Sequence, residues 1–203
     1  RDRLLDGPTE AEFALELDNA MRALGAEDVS FETIVASGPN GAKPHHRPGP
    51  RRIREGDLVV IDFGALVDGY HSDMTRMVAV GDVGAERERM LEVVLAAQAA
   101  GVEAVAAGME AAEVDRVCRD VIGEAGLGDA FLHGTGHGVG LDIHEEPRVS
   151  GRSTATLVAG HVVTVEPGVY LPELGGVRIE DTVLVTDDGC DRLTLAPKEP
   201  SLR

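Results

Sequence analysis

Apolar positions recur along this chain with two periods, one helical and one alternating. The first helical stretch opens at Thr9-Glu10-Ala11-Glu12, where a Thr followed three residues later by Glu forms a capping box. Phe13, Leu17, Ala20, Met21 and Leu24 keep helical spacing, and Gly25 can close the helix. Phe31 to Ala36 reads as a strand. Residues 37 to 50 are rich in Pro and Gly around His45-His46 and predict an irregular loop. Leu58 to Leu66 is an apolar, β-branched strand, Asp68-Gly69 a two-residue hairpin turn, and Tyr70 to Val80 the returning partner. Helices follow over 85–107 and 111–125, divided by Gly108, with a turn at Gly126 and Gly128. Residues 133 to 140 are half glycine and exclude a stable helix. His161 to Tyr170 and Val177 to Val185 read as strands joined by a turn at Pro172 to Gly176, with a short last strand over Cys190 to Leu195.

Hairpin strands with helices segregated between them predict an α+β fold and not the alternating βαβ of a dinucleotide-binding domain. Each half pairs helical segments with a hairpin, as an internal duplication would. No linker-like stretch divides the 203 residues, which suit one large domain or two small ones. Aromatics are only 3%, so the core must be built from Val, Leu, Ile and Ala.

Charge narrows the partners. Nineteen Lys and Arg against 36 Asp and Glu give a net charge of -17. The balance argues against nucleic acid and anionic membrane surfaces as partners. No apolar run approaches the roughly 20 residues of a membrane helix. Cys118 and Cys190 form neither a CxxC motif nor a disulfide framework, which fits a reducing, cytoplasmic setting.

The chemistry lies in carboxylates placed on apolar strands. Asp62 ends Leu58-Val59-Val60-Ile61, where a charge is costly without a cation. If Asp68-Gly69 is the turn, Asp62 faces Thr75, and Asp73 lies diagonally across on the same face. Close carboxylates coexist by sharing a proton or a metal. Glu166 ends a second apolar strand, Val162-Val163-Thr164-Val165. Alternation puts Arg178 and Glu180 on one face of a third, where Glu180 can also simply pair with Arg178. His133, His137 and His144, three of seven histidines, fall in one Gly-rich segment. Its glycines miss the G-x-G-x-x-G spacing at Val139, and no P-loop lysine follows, which argues against a phosphate cradle. Four strand-borne carboxylates with imidazole suit two hard divalent cations, Mn²⁺ before a thiolate-loving ion. Such a pair would hold a hydroxide between them as nucleophile. The residues alone thus predict a dinuclear metallohydrolase.

The ordered motifs around Asp62-Phe63-Gly64, Ser72-Asp73-Met74-Thr75-Arg76, His133 to Pro147, Glu166-Pro167-Gly168-Val169-Tyr170 and Gly176 to Thr182 resemble the creatinase/aminopeptidase family, in its Xaa-Pro peptidase branch of prolidases and aminopeptidases P. The resemblance runs from about Thr9 to the last strand. It implies a pita-bread fold of two pseudo-twofold halves around a central metal site. It implies five metal ligands, Asp62, Asp73, His137, Glu166 and Glu180, with Asp73 and Glu180 shared between two ions, Mn²⁺ foremost and Co²⁺ or Zn²⁺ compatible. His45, His133 and His144 match histidines that contact substrate, Arg178 one that orients a ligand carboxylate, and Glu166 or a carboxylate beside it takes the water proton. The implied substrate is a proline-containing peptide. Members of the branch carry a smaller N-terminal domain that contributes to dimerisation and to the substrate entrance. Since this chain opens on Arg1 without one, residues 1–203 are expected to be the C-terminal catalytic domain of a longer protein, and a homodimer stays open. Three rivals share the fold. Methionine aminopeptidase has all five ligand types, but Gly176-Val177-Arg178-Ile179-Glu180-Asp181 points to the Xaa-Pro branch. Creatinase uses no metal. Catalytically inactive binding modules typically lose ligands, and none is lost here.

Overall fold

Strands that read from the sequence as four long runs are broken in the computed structural model, which describes residues 1–202. In chain order the elements are α1 (Glu10–Ala23), β1 (Asp28–Val29), β2 (Ile34–Ser37), β3 (Leu58–Phe63), β4 (Ala65–Val67), β5 (Tyr70–His71) and β6 (Met74–Val80). Then come α2 (Ala85–Ala104), α3 (Ala111–Glu124), β7 (Gly136–Gly138), β8 (Glu145–Val149), β9 (Val162–Val165) and β10 (Gly168–Leu171). β11 (Gly175–Arg178), β12 (Asp181–Val185), β13 (Cys190–Arg192) and β14 (Ser201–Leu202) complete the described chain. Short 3₁₀ turns lie at Asp2–Asp6, Gly38–Ala42 and Gly128–Ala130.

The capping box forms as expected. Glu12 N–H donates to Thr9 Oγ1 at 3.1 Å, and Thr9 N–H donates to Glu12 Oε2 at 2.7 Å. α1 stops at Ala23, with Leu24 as its cap and 89% exposed, and of the apolar stripe only Phe13 and Met21 are buried. The first predicted strand begins three residues later than read, at Ile34, because the chain before it detaches to pair β1 with β4.

The central hairpin has the expected register. Asp62 pairs with Thr75 and Val67 with Tyr70. It is interrupted where Gly64 passes Ser72 so closely that a Cβ on Gly64 would sit 1.8 Å from the Ser72 carbonyl oxygen. The outer piece joins β1 in a three-stranded sheet, and the inner piece joins the four-stranded sheet β14-β6-β3-β2. That inner sheet is buried on both faces, which explains its unbroken apolar sequence. Val59, Ile61, Val78 and Val80 pack with Phe13 and Ala14 of α1. Leu58, Val60, Met77 and Ala79 belong instead to the large core with α2, α3, β9 and β12. Asp62 and Thr75 share the parity of this second set, so they face the other half of the molecule.

That half is built on the five-stranded sheet β13-β12-β9-β7-β8 and the β10-β11 hairpin. Its two predicted long strands split at Glu166-Pro167 and at Ile179-Glu180 as the chain passes from one sheet to the other. α2 ends at Ala104, before the predicted 107, as Val105 turns into the core and Gly108 takes a left-handed φ of 87°. Among the described residues no helix is long and apolar enough to cross a membrane.

Candidate metal centre

The two halves meet at a cleft of about 540 Å³ lined by Asp62, Asp73, His137, Glu166 and Glu180, together with His45, His133, His144 and Arg178. Every site residue expected from the sequence therefore lies on one cavity. β3 and the bend before β6 supply Asp62 and Asp73, and β7, the end of β9 and the bend before β12 supply the other three. The seam is closed by backbone and side-chain bonds: Glu180 N–H donates to the Thr75 carbonyl at 3.2 Å, and Thr182 Oγ1 to the Asp73 carbonyl at 2.8 Å.

Close approach explains the glycines of the His133 to Gly140 segment. A Cβ on Gly136 would stand 1.9 Å from the Thr164 carbonyl oxygen, so only glycine lets β7 bring His137 this near β9. His137 Nδ1 lies 2.9 Å from the Gly138 carbonyl, which cannot donate, so that nitrogen carries a hydrogen. Nε2 is thereby turned to Asp73 at 3.5 Å and Glu166 at 3.3 Å. There it either shares a proton with the carboxylates or lends its lone pair to a cation between them.

The carboxylates are under strain of charge. Asp62, Asp73 and Glu180 are buried, and a ligand atom from each of Asp73, His137 and Glu180 falls within 4.8 Å of the others. Burial, then the charges of Asp62 and Glu166, pushes Asp73 up to about 9. Burial, then Asp73 and the remaining carboxylates, pushes Glu180 well above its ordinary range. Asp62 moves the same way because burial outweighs Arg178. Glu166 alone is held low: burial opposes its charge, but the hydrogen bond and charge of His137 overcome it. Two buried carboxylate oxygens, Asp62 Oδ1 and Glu180 Oε1, have no hydrogen-bond partner among the described residues. Unpartnered carboxylate oxygens beside an imidazole lone pair are what a hard divalent cation requires, so these residues fit metal.

The flanking side chains hold this arrangement. Arg178, 4% exposed, donates from Nη2 to Asp62 Oδ2 at 2.6 Å, from Nε to Thr75 Oγ1 at 3.1 Å, and from Nη1 to Tyr170 Oη at 2.8 Å and the Pro44 carbonyl at 3.3 Å. The simple ion pair between Arg178 and Glu180 is absent, because the chain bends after Arg178 and Glu180 Oε2 accepts from Thr75 at 2.8 Å instead. The guanidinium expected to orient a ligand is thus occupied by the protein. His133 is engaged at both nitrogens: Nδ1–H donates to the Gly134 carbonyl at 2.8 Å, and Nε2 accepts from Tyr170 at 2.8 Å. His45 and His144 are exposed, and His144 meets His137 edge-on with ring centroids 4.4 Å apart. The sequence reading missed Tyr170, Thr75 and Thr164. Thr164 accepts from His137 N–H at 3.1 Å and donates to Glu166 Oε1 at 3.1 Å. Their signal was available: a buried hydroxyl needs a partner, and each lies close in register or sequence to a carboxylate.

Residues 1–187 match the description Metallopeptidase family M24. The Xaa-Pro dipeptidase of Pyrococcus furiosus is 48% identical over 198 residues, covering 98% of this chain and 57% of that protein. The solved structure of a prolidase from the same organism has a TM-score of 0.93 at 49% identity and covers 94% of this chain and 57% of its own. The Xaa-Pro dipeptidase from Bacillus anthracis has a TM-score of 0.96 at 45% identity, with 99% and 58% covered. The chain spans little more than half the length of these relatives. The superpositions establish the pita-bread fold that the motifs implied. By sequence and fold alike, the chain belongs to metallopeptidase family M24.

Proposed function

We propose that residues 1–203 are the catalytic domain of a dinuclear metal-dependent exopeptidase that hydrolyses the Xaa-Pro bond of dipeptides or at peptide N-termini. The observation that carries this reading is the seam itself, where three buried carboxylates carry two unpartnered oxygens beside His137. Asp62, Asp73, His137, Glu166 and Glu180 would hold the ions. Bound divalent cations supply activation of water and polarisation of the peptide carbonyl. The oxygen-rich donor set favours Mn²⁺ over ions that seek thiolate.

The chain's own residues then do the positioning and the proton work. Glu166 stays ionised beside His137 and Thr164, so it can take a proton from the attacking water and return it to the departing nitrogen. Arg178 fixes Asp62, and Thr75 fixes Glu180, so neither carboxylate swings when substrate enters. His45 and His144 wall the open side of the cleft, where hydrogen bonds to substrate and to a developing oxyanion would form. Proline suits such a site. Its tertiary amide has no N–H, so enzymes that grip that N–H fail on it, whereas nothing in this constellation requires one. Two free cysteines are consistent with a reducing compartment such as the cytoplasm.

The test uses the complete protein, metal-analysed and loaded with Mn²⁺, on Ala-Pro, Ala-Pro-Ala and Met-Ala-Ser. Cleavage of the proline substrates, with Met-Ala-Ser spared, is the expected result. Release of Met with both proline peptides intact would move the assignment to methionine aminopeptidase. No divalent metal after reconstitution would point to a binding module.

A further inference from the structure

We propose that Glu10 is a positioning residue for the loop 37–49, acting on the site through His45. Glu10 is the first residue of α1 and is fully buried, although the helix N-terminus needs nothing more from it. Glu12, on the same turn, already completes the capping box. A buried carboxylate survives only when its oxygens are satisfied. Here every donor comes from one loop. Oε1 accepts from Ser37 N–H at 2.8 Å, Ser37 Oγ at 2.7 Å and Asn40 Nδ2 at 3.1 Å. Oε2 accepts from Asn40 at 3.2 Å, His46 Nε2 at 2.8 Å and Gly49 N–H at 3.3 Å. One side chain therefore grips the start, middle and end of the loop.

What the loop carries explains why this matters. Pro44, His45, His46 and Arg47 line the same cleft as the carboxylates. On the far side the loop is seated against β11. There Arg178 donates to the Pro44 carbonyl, and a Cβ on Gly176 would meet the Gly41 carbonyl oxygen at 2.1 Å. His45 itself is exposed. Its place relative to the seam is set by its neighbour His46, which Glu10 holds, and by Pro44, which Arg178 holds.

Glu10→Gln is the discriminating change. The amide oxygen can still serve Ser37, while the amide nitrogen would meet the hydrogens of His46 and Gly49, so the 46–49 end is released. For turnover the proposal rests on the peptidase reading, and Ala-Pro is the probe. In the complete, Mn²⁺-loaded protein we expect kcat/KM to fall by about 10- to 100-fold, the scale of a catalytic group displaced by about 1 Å. In a His45→Ala background the same change should cost less than about 3-fold, since its target is gone. Equal fold-losses in the two backgrounds would overturn the proposal. Hydrogen exchange supplies a readout independent of activity. Peptides covering 41–49 should exchange faster in Glu10→Gln, with β3 and bound metal unchanged. Unchanged exchange there refutes the positioning role whether or not Ala-Pro is cleaved, and an inactive wild type with the exchange shift refutes the peptidase reading alone. Should Glu10→Gln not fold, His46→Gln, which removes only one grip, is expected to shift both readouts in the same direction by less.

Discussion

Stripping divalent cations from the protein should cost more stability the higher the pH. Asp73 is the group that sets the scale. Burial, and then the charges of Asp62 and Glu166, raises it from 3.8 to about 9. A folded-state value above the unfolded one means that the native protein holds the proton more tightly. The stability this contributes is full below about pH 4 and is lost as pH climbs toward about 9. Each unit within that window is worth about 1.4 kcal/mol for one carboxyl. His133 and His144 shift downward, chiefly through burial, and oppose this trend below pH 6.5. The clean window is therefore pH 7 to 9. Over it Asp73 alone costs the metal-free protein about 3 kcal/mol, and Glu180 adds in the same direction. For a chain of this size that is a fall in Tm of about 6–12 °C. Bound cations offset the carboxylate charges, so the loaded protein should be nearly flat over the same range. Scanning calorimetry of chelator-treated and Mn²⁺-loaded samples at pH 7, 8 and 9 measures the widening gap. Titration calorimetry in buffers of different ionisation enthalpy should show at least one proton released per chain at pH 7. Parallel melting curves with no proton release would refute the electrostatic account of the cleft.

Glu166→Gln should lower kcat by about 100-fold or more, because it removes both a charge at the seam and the proton acceptor; activity within about 3-fold of wild type would remove Glu166 from the mechanism. Cys118→Ser and Cys190→Ser should leave kcat/KM nearly unchanged, since burial pushes the Cys118 thiol up to about 12 and no thiolate forms. Loss of turnover with metal still bound in either cysteine variant would mean the chemistry had been assigned to the wrong groups.

The sequence was most informative where local rules and the tertiary structure agree. The Thr9 capping box and the Asp68-Gly69 turn each fixed geometry from a few residues, and the turn carried the Asp62–Thr75 register with it. Contacts between residues far apart in the chain were not legible. Nothing in the sequence says that Glu10 reaches Gly49, or that Arg178 goes to Asp62 across the seam and not to Glu180 two residues away. Alternation reports which face a side chain takes, and says nothing of which distant strand supplies its partner.

The misplaced strand boundaries are themselves informative about the site. Four of the runs read as continuous strands are broken: one at Gly64, the others at Ser72-Asp73, after Val165 and at Ile179-Glu180. Each of the last three breaks leaves a candidate ligand. His137 lies where the β7–β8 register shifts between Gly136 and Gly138. A residue inside a regular ladder has its side chain aimed squarely at one face of its own sheet. A cleft between two sheets needs carboxylates that reach out of both, and a break in pairing lets the chain turn one toward the seam. The backbone groups freed there are then met by the opposite half, as when Glu180 N–H donates to the Thr75 carbonyl and Arg76 donates to the Glu180 carbonyl and to Asp181. Apolar runs interrupted by single carboxylates thus mark both the core strands and the points where the sheet pairing gives way to the site.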